Sequence, residues 1–249
     1  MAFRGWTPAA LSGYTRIMRF AAVGFDLDGT LYPAYRLYIL AFPRMLPKAV
    51  RLAANNAARQ RLRSLGADAA HRAALANEEG RLPSDGPSFR SLAASLVAER
   101  LGMESDAAAA MIERDFYHGI EELFARIEPY RGLEPALDRM ARGALRLGLL
   151  SDLPPRRKLE LLGLSHRFEC ALCSEDSGFL KPAKEPFAML ASRLGLPPER
   201  ILYVGNNPGI DIAGAKAAGM GAALVSRRRV SEADFCFTDW DRLADFALG

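Results

Sequence analysis

Apolar residues in this chain collect into one isolated run near the start and several short runs in the second half, separated by amphipathic stretches. The first run, Phe20 to Phe25, lacks the polar alternation of a half-exposed strand, so it predicts a strand buried on both faces, and it ends abruptly in "DLDGT". From Ala34 to Glu128 no comparable run occurs. Ala-, Leu- and Arg-rich stretches broken by Pro43, Pro47, Gly66, Gly80, Pro83 and Gly86 predict a helical block, with a helix start at Ser105 and Asp106. Beyond a connector and helix in "EPYRGLEPALDRMARG", an alternation begins. Strands are predicted near Leu145–Leu150, Glu169–Leu172, Ile201–Val204 and Ala222–Val225, and helices near Pro155–Leu162, Glu185–Leu194 and Asp211–Ala218. Strands alternating with helices predict an α/β fold built on a doubly wound parallel sheet.

Composition sets the scale without naming a chemistry. With 249 residues, half of them apolar, the chain can bury a substantial core as one large domain or two modest ones. A net charge of +4 with no basic stripe interleaved with aromatics argues against a nucleic-acid partner. No apolar run approaches the ~18 residues of a membrane helix. The N-terminal "MAFRGWTPAALSGYTRIMRF" lacks the apolar core of a signal peptide and reads as an extension or pre-strand arm. Three cysteines form no disulfide framework and suit a reducing cytoplasm. Cys170 and Cys173 are spaced as CxxC, but on a short strand residues three apart face opposite ways, so plain packing is the expectation. His71, His118 and His166 are scattered and predict no metal site. Between Arg36 and Arg72, eight basic residues stand against Asp68 alone; this reads as a solvated helix face, part of which could steer anions.

In a doubly wound sheet the ligand lies beyond the carboxyl ends of the strands. The residues there are Asp26 and Asp28 after the first strand, Ser151 and Asp152 after the second, Lys181 in the loop after the third, and Asn206 with Asp211 after the fourth. A carboxylate can attack phosphorus and split one difficult displacement into two. A second acid two residues on can protonate the departing oxygen and then deprotonate a water. Two carboxylates repel a phosphate unless positive charge compensates; Lys181 supplies one charge, and a hard cation held by oxygen ligands would supply two more. Gly29 lets the chain turn directly after the carboxylates. Taken singly, Ser151 reads as a helix cap, Lys181 as a loop charge, Asn206 to Gly209 as a turn and Asp211 as an N-cap. Their common position at strand ends favours a site.

These residues resemble the motifs of the haloacid dehalogenase superfamily. "DLDGT" resembles the first, "LGLLSD" the second with Ser151 as its hydroxyl, "GFLKP" the third with Lys181, and "YVGNNPGIDIAGAKAAGM" the fourth, in matching order over roughly Phe20 to Val225. The resemblance implies a Rossmann-like core, residues 1–33 and 129–249, with an inserted α-helical cap, residues 34–128. It also implies a Mg²⁺-dependent phosphatase acting on a small phosphorylated metabolite through an aspartyl-phosphate. Asp26 would be the nucleophile, Asp28 the acid and base, and Ser151 and Lys181 the phosphoryl-binding pair, with Mg²⁺ on Asp26, the Asp28 carbonyl, Asn206 and Asp211. Two positions depart from the pattern. Asn206 stands where the family has Asp, and Asp152 where Asn is usual; the latter reads as a cap for the helix begun by "PPRRK". A phosphomutase, or a catalytically silent binder of phosphorylated ligands or a protein, shares most of these features. Dehalogenases of the superfamily lack an acid matching Asp28, which disfavours that chemistry.

Overall fold

The computed structural model describes residues 19–67, 88–119 and 121–249. Residues 1–18 of the N-terminal arm, Asp68, His71, Arg72, Gly80, Pro83 and Gly86 lie outside them. Six parallel strands form one sheet in the order β3-β2-β1-β4-β5-β6. They are β1 (Ala22–Phe25), β2 (Arg146–Ser151), β3 (Cys170–Cys173), β4 (Ile201–Gly205), β5 (Gly221–Val225) and β6 (Phe235–Phe237). The doubly wound α/β expectation holds, and β6 extends it beyond what the apolar runs predict. β1 is buried along its whole length, as a central strand covered on both faces must be. Phe20 packs into the core just before the strand begins.

Helices cover both faces. One core joins Val23, Phe25, Leu147, Leu149 and Val204 to α5 (Leu133–Arg142), α6 (Arg156–Leu161) and α9 (Trp240–Leu248), through Leu137, Met140, Leu159, Trp240 and Leu243. The opposite core joins Ala22, Leu150 and Tyr203 to α7 (Lys184–Arg193) and α8 (Ala213–Ala217), through Phe187, Leu190 and Ala215. The helix expected from Asp211 begins instead as a wider π-type turn, Pro208–Ile212, that runs into α8. Cys170 and Cys173 are free thiols on β3, both buried. Burial pushes the Cys173 thiol up to about 12, which removes the thiolate that redox or metal chemistry would need.

Between β1 and α5 lies the helical block: α1 (Ala34–Met45), α2 (Ala49–Ala67), α3 (Phe89–Leu101) and α4 (Ser105–Ile112). Its own cluster is built from small residues, Ala54, Ala58, Ala94, Ala98 and Ala108, around Val97, Met111 and Ile112. Alanines let helix axes approach closely and carry no side-chain entropy cost in a helix. The block leaves and rejoins the sheet at one neck. Tyr130 N donates to Leu31 O (2.9 Å), Arg36 pairs with Glu128 (2.9 Å), and the Tyr32 and Phe124 rings meet edge to face. No helix among the described residues is long and apolar enough to cross a membrane.

Candidate active site

The chain winds outward from β1 through β2 to β3, then crosses to β4, β5 and β6, so the order of winding reverses between β1 and β4. Crevices beyond the carboxyl ends of strands open at such a reversal. Asp26 N donates to Val204 O (2.9 Å) across it. A cavity of about 440 Å³ lies there, lined on the sheet side by Asp26, Asp28, Asp152, Lys181, Asn206 and Asp211.

Lys181 organises the floor. Its Nζ donates to Asp26 Oδ1 (2.8 Å), Asp211 Oδ1 (2.7 Å) and the Tyr203 hydroxyl (3.1 Å), and the Tyr203 hydroxyl donates to Leu150 O (2.9 Å). Thr30 Oγ1 donates to Asp26 Oδ2 (2.7 Å). Two buried carboxylates thus share one buried ammonium. Burial pushes the Asp26 carboxyl up to about 7; Lys181 opposes this and the neighbouring Asp211 adds to it. Burial would lower the Lys181 ammonium, but Asp211 and Asp26 hold it well above its usual range. Asp211 is not the N-cap of the helical segment that follows: Asn207 is, accepting from the Gly209 and Ile210 amides. Asp211 Oδ2 instead accepts from the amides of Asn206 (3.1 Å) and Asn207 (3.0 Å).

Asp28, half-buried, is held differently. Lys158 Nζ donates to its Oδ2 (2.7 Å) and the Tyr32 hydroxyl to its Oδ1 (2.6 Å). Burial alone would raise this carboxyl, yet Lys158 and Tyr32 bring it below the usual carboxylate range. Adjacent acids are therefore driven apart, Asp26 towards the protonated form and Asp28 towards the ionised one. Gly29, at φ +88°, makes the turn between them and Asn206: a Cβ there would run into Asn206 Nδ2.

Asp152 is not a helix cap. Its Oδ2 accepts from Arg63 Nη2 (2.9 Å) and its Oδ1 from Lys181 N (3.2 Å), while the N-cap position of α6 is Pro155, with no side-chain cap. Pro154 and Pro155 offer no N–H, and a guanidinium is the stronger partner. Arg63 Nε also donates to Lys181 O (2.8 Å). Arg59, expected on a solvated face, is buried instead. It pairs with Glu175, donates to Asp152 O (2.7 Å), and lies over the Phe89 and Phe116 rings. Lys48 and Arg51 pair with Asp115. Ser151 ends β2 fully buried, its Oγ accepting from Leu153 N (3.2 Å); it is not among the residues lining the cavity.

Asp26, Asp28, Lys181, Asn206 and Asp211 therefore meet at one cavity. Sequence reasoning missed Lys158, Tyr32, Thr30, Tyr203, Arg59 and Arg63. Of these, only Thr30, the last residue of the first motif, and Tyr32, two positions beyond it, carried a local signal. Among the described residues no three His, Cys, Asp or Glu side chains form a metal-binding group. Two carboxylates converging on one ammonium, with the Asn206 amide at the rim, are nevertheless oxygen donors of the kind a hard cation takes. With both acids ionised, the Asp26–Lys181–Asp211 cluster carries one net negative charge, and a divalent cation would leave it one net positive charge to meet a phosphate.

A family model described as haloacid dehalogenase-like hydrolase matches residues 20–219. A glyceraldehyde 3-phosphate phosphatase of Methanopyrus kandleri is 29% identical over 222 residues, covering 85% of this chain and 86% of the relative. A phosphoglycolate phosphatase of Salmonella typhi is 28% identical over 218 residues, covering 82% and 80%. Among solved structures, a 2-haloacid dehalogenase from Pseudomonas syringae pv. tomato superposes with a TM-score of 0.57 at 25% identity, covering 91% of this chain and 97% of that one.

Proposed function

The chain belongs to the haloacid dehalogenase-like hydrolase family, and on that premise we propose that it is a phosphoric-ester hydrolase acting on a small phosphorylated metabolite through a phosphorylated Asp26. The observation that carries this reading is Asp28, a second acid facing the same cavity two residues after the first. Likeness to a dehalogenase structure bears on the fold, whereas an acid in this place serves an oxygen leaving group.

Asp26 attacks phosphorus, forming a carboxyl–phosphorus bond as the ester P–O bond breaks, and Asp28 gives its proton to the departing oxygen. Water then attacks the phosphorylated Asp26, giving up its proton to Asp28 and releasing phosphate. At rest Asp28 is ionised, which suits the second step. A phosphate dianion arriving beside it competes for Lys158 and raises the Asp28 pKa, which suits the first. Lys181 compensates the phosphoryl charge. Ser151 holds the turn that brings Asp152 and Leu153 to the cavity wall. Mg²⁺ would be held by Asp26, the Asp28 carbonyl, Asn206 and Asp211, and would supply the positive charge that lets a phosphate approach two carboxylates. Residues 34–128 act as a helical cap over a core made of residues 1–33 and 129–249, and the protein works in the cytoplasm, where its three thiols stay reduced.

The test is phosphate release from p-nitrophenyl phosphate with Mg²⁺, set beside chloride release from 2-chloropropionate. The expected result is phosphate from the natural protein, none from Asp26→Asn, and no chloride from either. Chloride without phosphate would replace the reading with dehalogenation.

A further inference from the structure

Helix α1 supplies part of the wall opposite the floor through Ala34, Leu37, Tyr38, Ala41 and Met45. These positions follow the i, i+3, i+4, i+7 spacing of one helix face. A second apolar face of the same helix points outwards. Tyr35, Tyr38, Ile39, Phe42, Leu46 and, further on, Val50 are 60–73% exposed. At about 100° per residue the two faces lie roughly a quarter-turn apart, and Tyr38 belongs to both. The apolar lining therefore runs without interruption from inside the cavity, past Tyr38, onto the outer surface of α1.

The basic groups above the floor are already engaged. Arg63 is bound by Asp152, and Glu175 takes Arg59 and Arg90. A substrate carboxylate would find these guanidiniums occupied, while Phe116, Leu153 and Met45 present apolar surface.

We propose, resting on the phosphatase reading, that the site takes phosphate monoesters of apolar alcohols, with the hydrocarbon part lying along the cavity face of α1 and longer chains continuing past Tyr38 over Ile39 and Phe42. The occupant of the exposed stripe is thus the tail of the substrate, and continuity of the stripe with the cavity is what selects it. A large contiguous apolar surface on a folded chain marks a binding site.

The experiment measures kcat/KM with Mg²⁺ for ethyl, butyl, hexyl and octyl phosphate below their aggregation limits, with phosphoglycolate as the carboxylated counterpart. We expect kcat/KM to climb along the series, by up to about fourfold per methylene where burial is complete, and phosphoglycolate to fall below butyl phosphate. The double variant Ile39→Ser, Phe42→Ser, altered only at exposed positions outside the cavity lining, should flatten the step from hexyl to octyl and leave ethyl phosphate unchanged. A flat or falling series, a preference for phosphoglycolate, or equal losses on ethyl and octyl phosphate in the double variant would overturn this inference and leave the phosphatase reading standing. Release of phosphate from no ester at all would bring down both.

Discussion

The floor and the roof of the cavity are built on opposite rules. On the floor each carboxylate is held by directional partners: Asp26 by Lys181 and Thr30, Asp28 by Lys158 and Tyr32, Asp211 by Lys181 and two amides. Asp26 and Asp28 follow β1 directly, and Asp211 stands on the π-type turn that follows β4. The α1 wall is lined by Leu37, Tyr38, Ala41 and Met45, whose contacts are apolar and non-directional. On the proposed function, charge held to within a hydrogen bond sets the reaction, and apolar surface sets which molecules reach it. Damage to the floor should therefore act on all esters alike, and damage to the roof on some more than others.

The largest expected effect is at Asp26. Asp26→Asn should reduce turnover of every ester to background, because an amide is a poor nucleophile. Stability should move the other way. A carboxyl raised from 3.8 to about 7 on folding contributes stability that is complete below pH 3.8 and is lost as pH rises through about 7. Thermal melts in EDTA should therefore show the natural protein losing Tm between those limits relative to Asp26→Asn, with Mg²⁺ restoring Tm at pH 8 by binding the folded state. Parallel melting curves for the two proteins would deny the burial of that charge.

Next comes Lys181→Met, which leaves Asp26 and Asp211 without their shared cation. Removing one partner of a buried ion pair costs about 3–5 kcal/mol, so urea unfolding at pH 8 should show a loss of that order. The loss should shrink towards pH 5 as Asp26 takes up a proton. A pH-independent loss would point to packing alone.

Asp152→Asn tests the bolt between roof and floor. The amide can still accept from Lys181 N but no longer ion-pairs with Arg63, a change of about 1–3 kcal/mol for a hydrogen bond involving charge. Amide exchange in α2 should quicken while the strand amides hold, and phosphoglycolate should gain on hexyl phosphate as Arg63 is released. The smallest effect is at Asn206, exposed at the rim. Asn206→Asp should lower the Mg²⁺ needed for half-maximal activity only about two- to fivefold, because water screens most of the added charge. No change would remove Asn206 from the metal site.

What could be read from the chain follows the same division. The strand-end residues Asp26, Asp28, Lys181, Asn206 and Asp211 were legible because apolar runs point at them, and sheet topology then gathers whatever stands at those ends. Lys158 was not, because nothing local separates it from Arg156 and Arg157; only the docking of α6 against Phe124 selects it to reach Asp28, 130 positions away. Arg59 and Arg63 looked like solvent-facing cations because Glu175 and Asp152, which bind them, lie 116 and 89 positions off. β6 escaped notice because three residues, "FCF", are too few to show a period. The outer face of α1 was missed for a different reason: an apolar helix face is normally covered, so its exposure is visible only in three dimensions.

The neck at Leu31 and Tyr130 has an architectural consequence. Because the block from α1 to α4 departs and returns a single hydrogen bond apart, excising it would leave two ends that a short turn could rejoin, with little loop-closure entropy to overcome. The sheet would not have to be re-threaded. A chain so joined could exchange the whole block as one piece while Asp26, Asp28 and Lys181 keep their places on the floor.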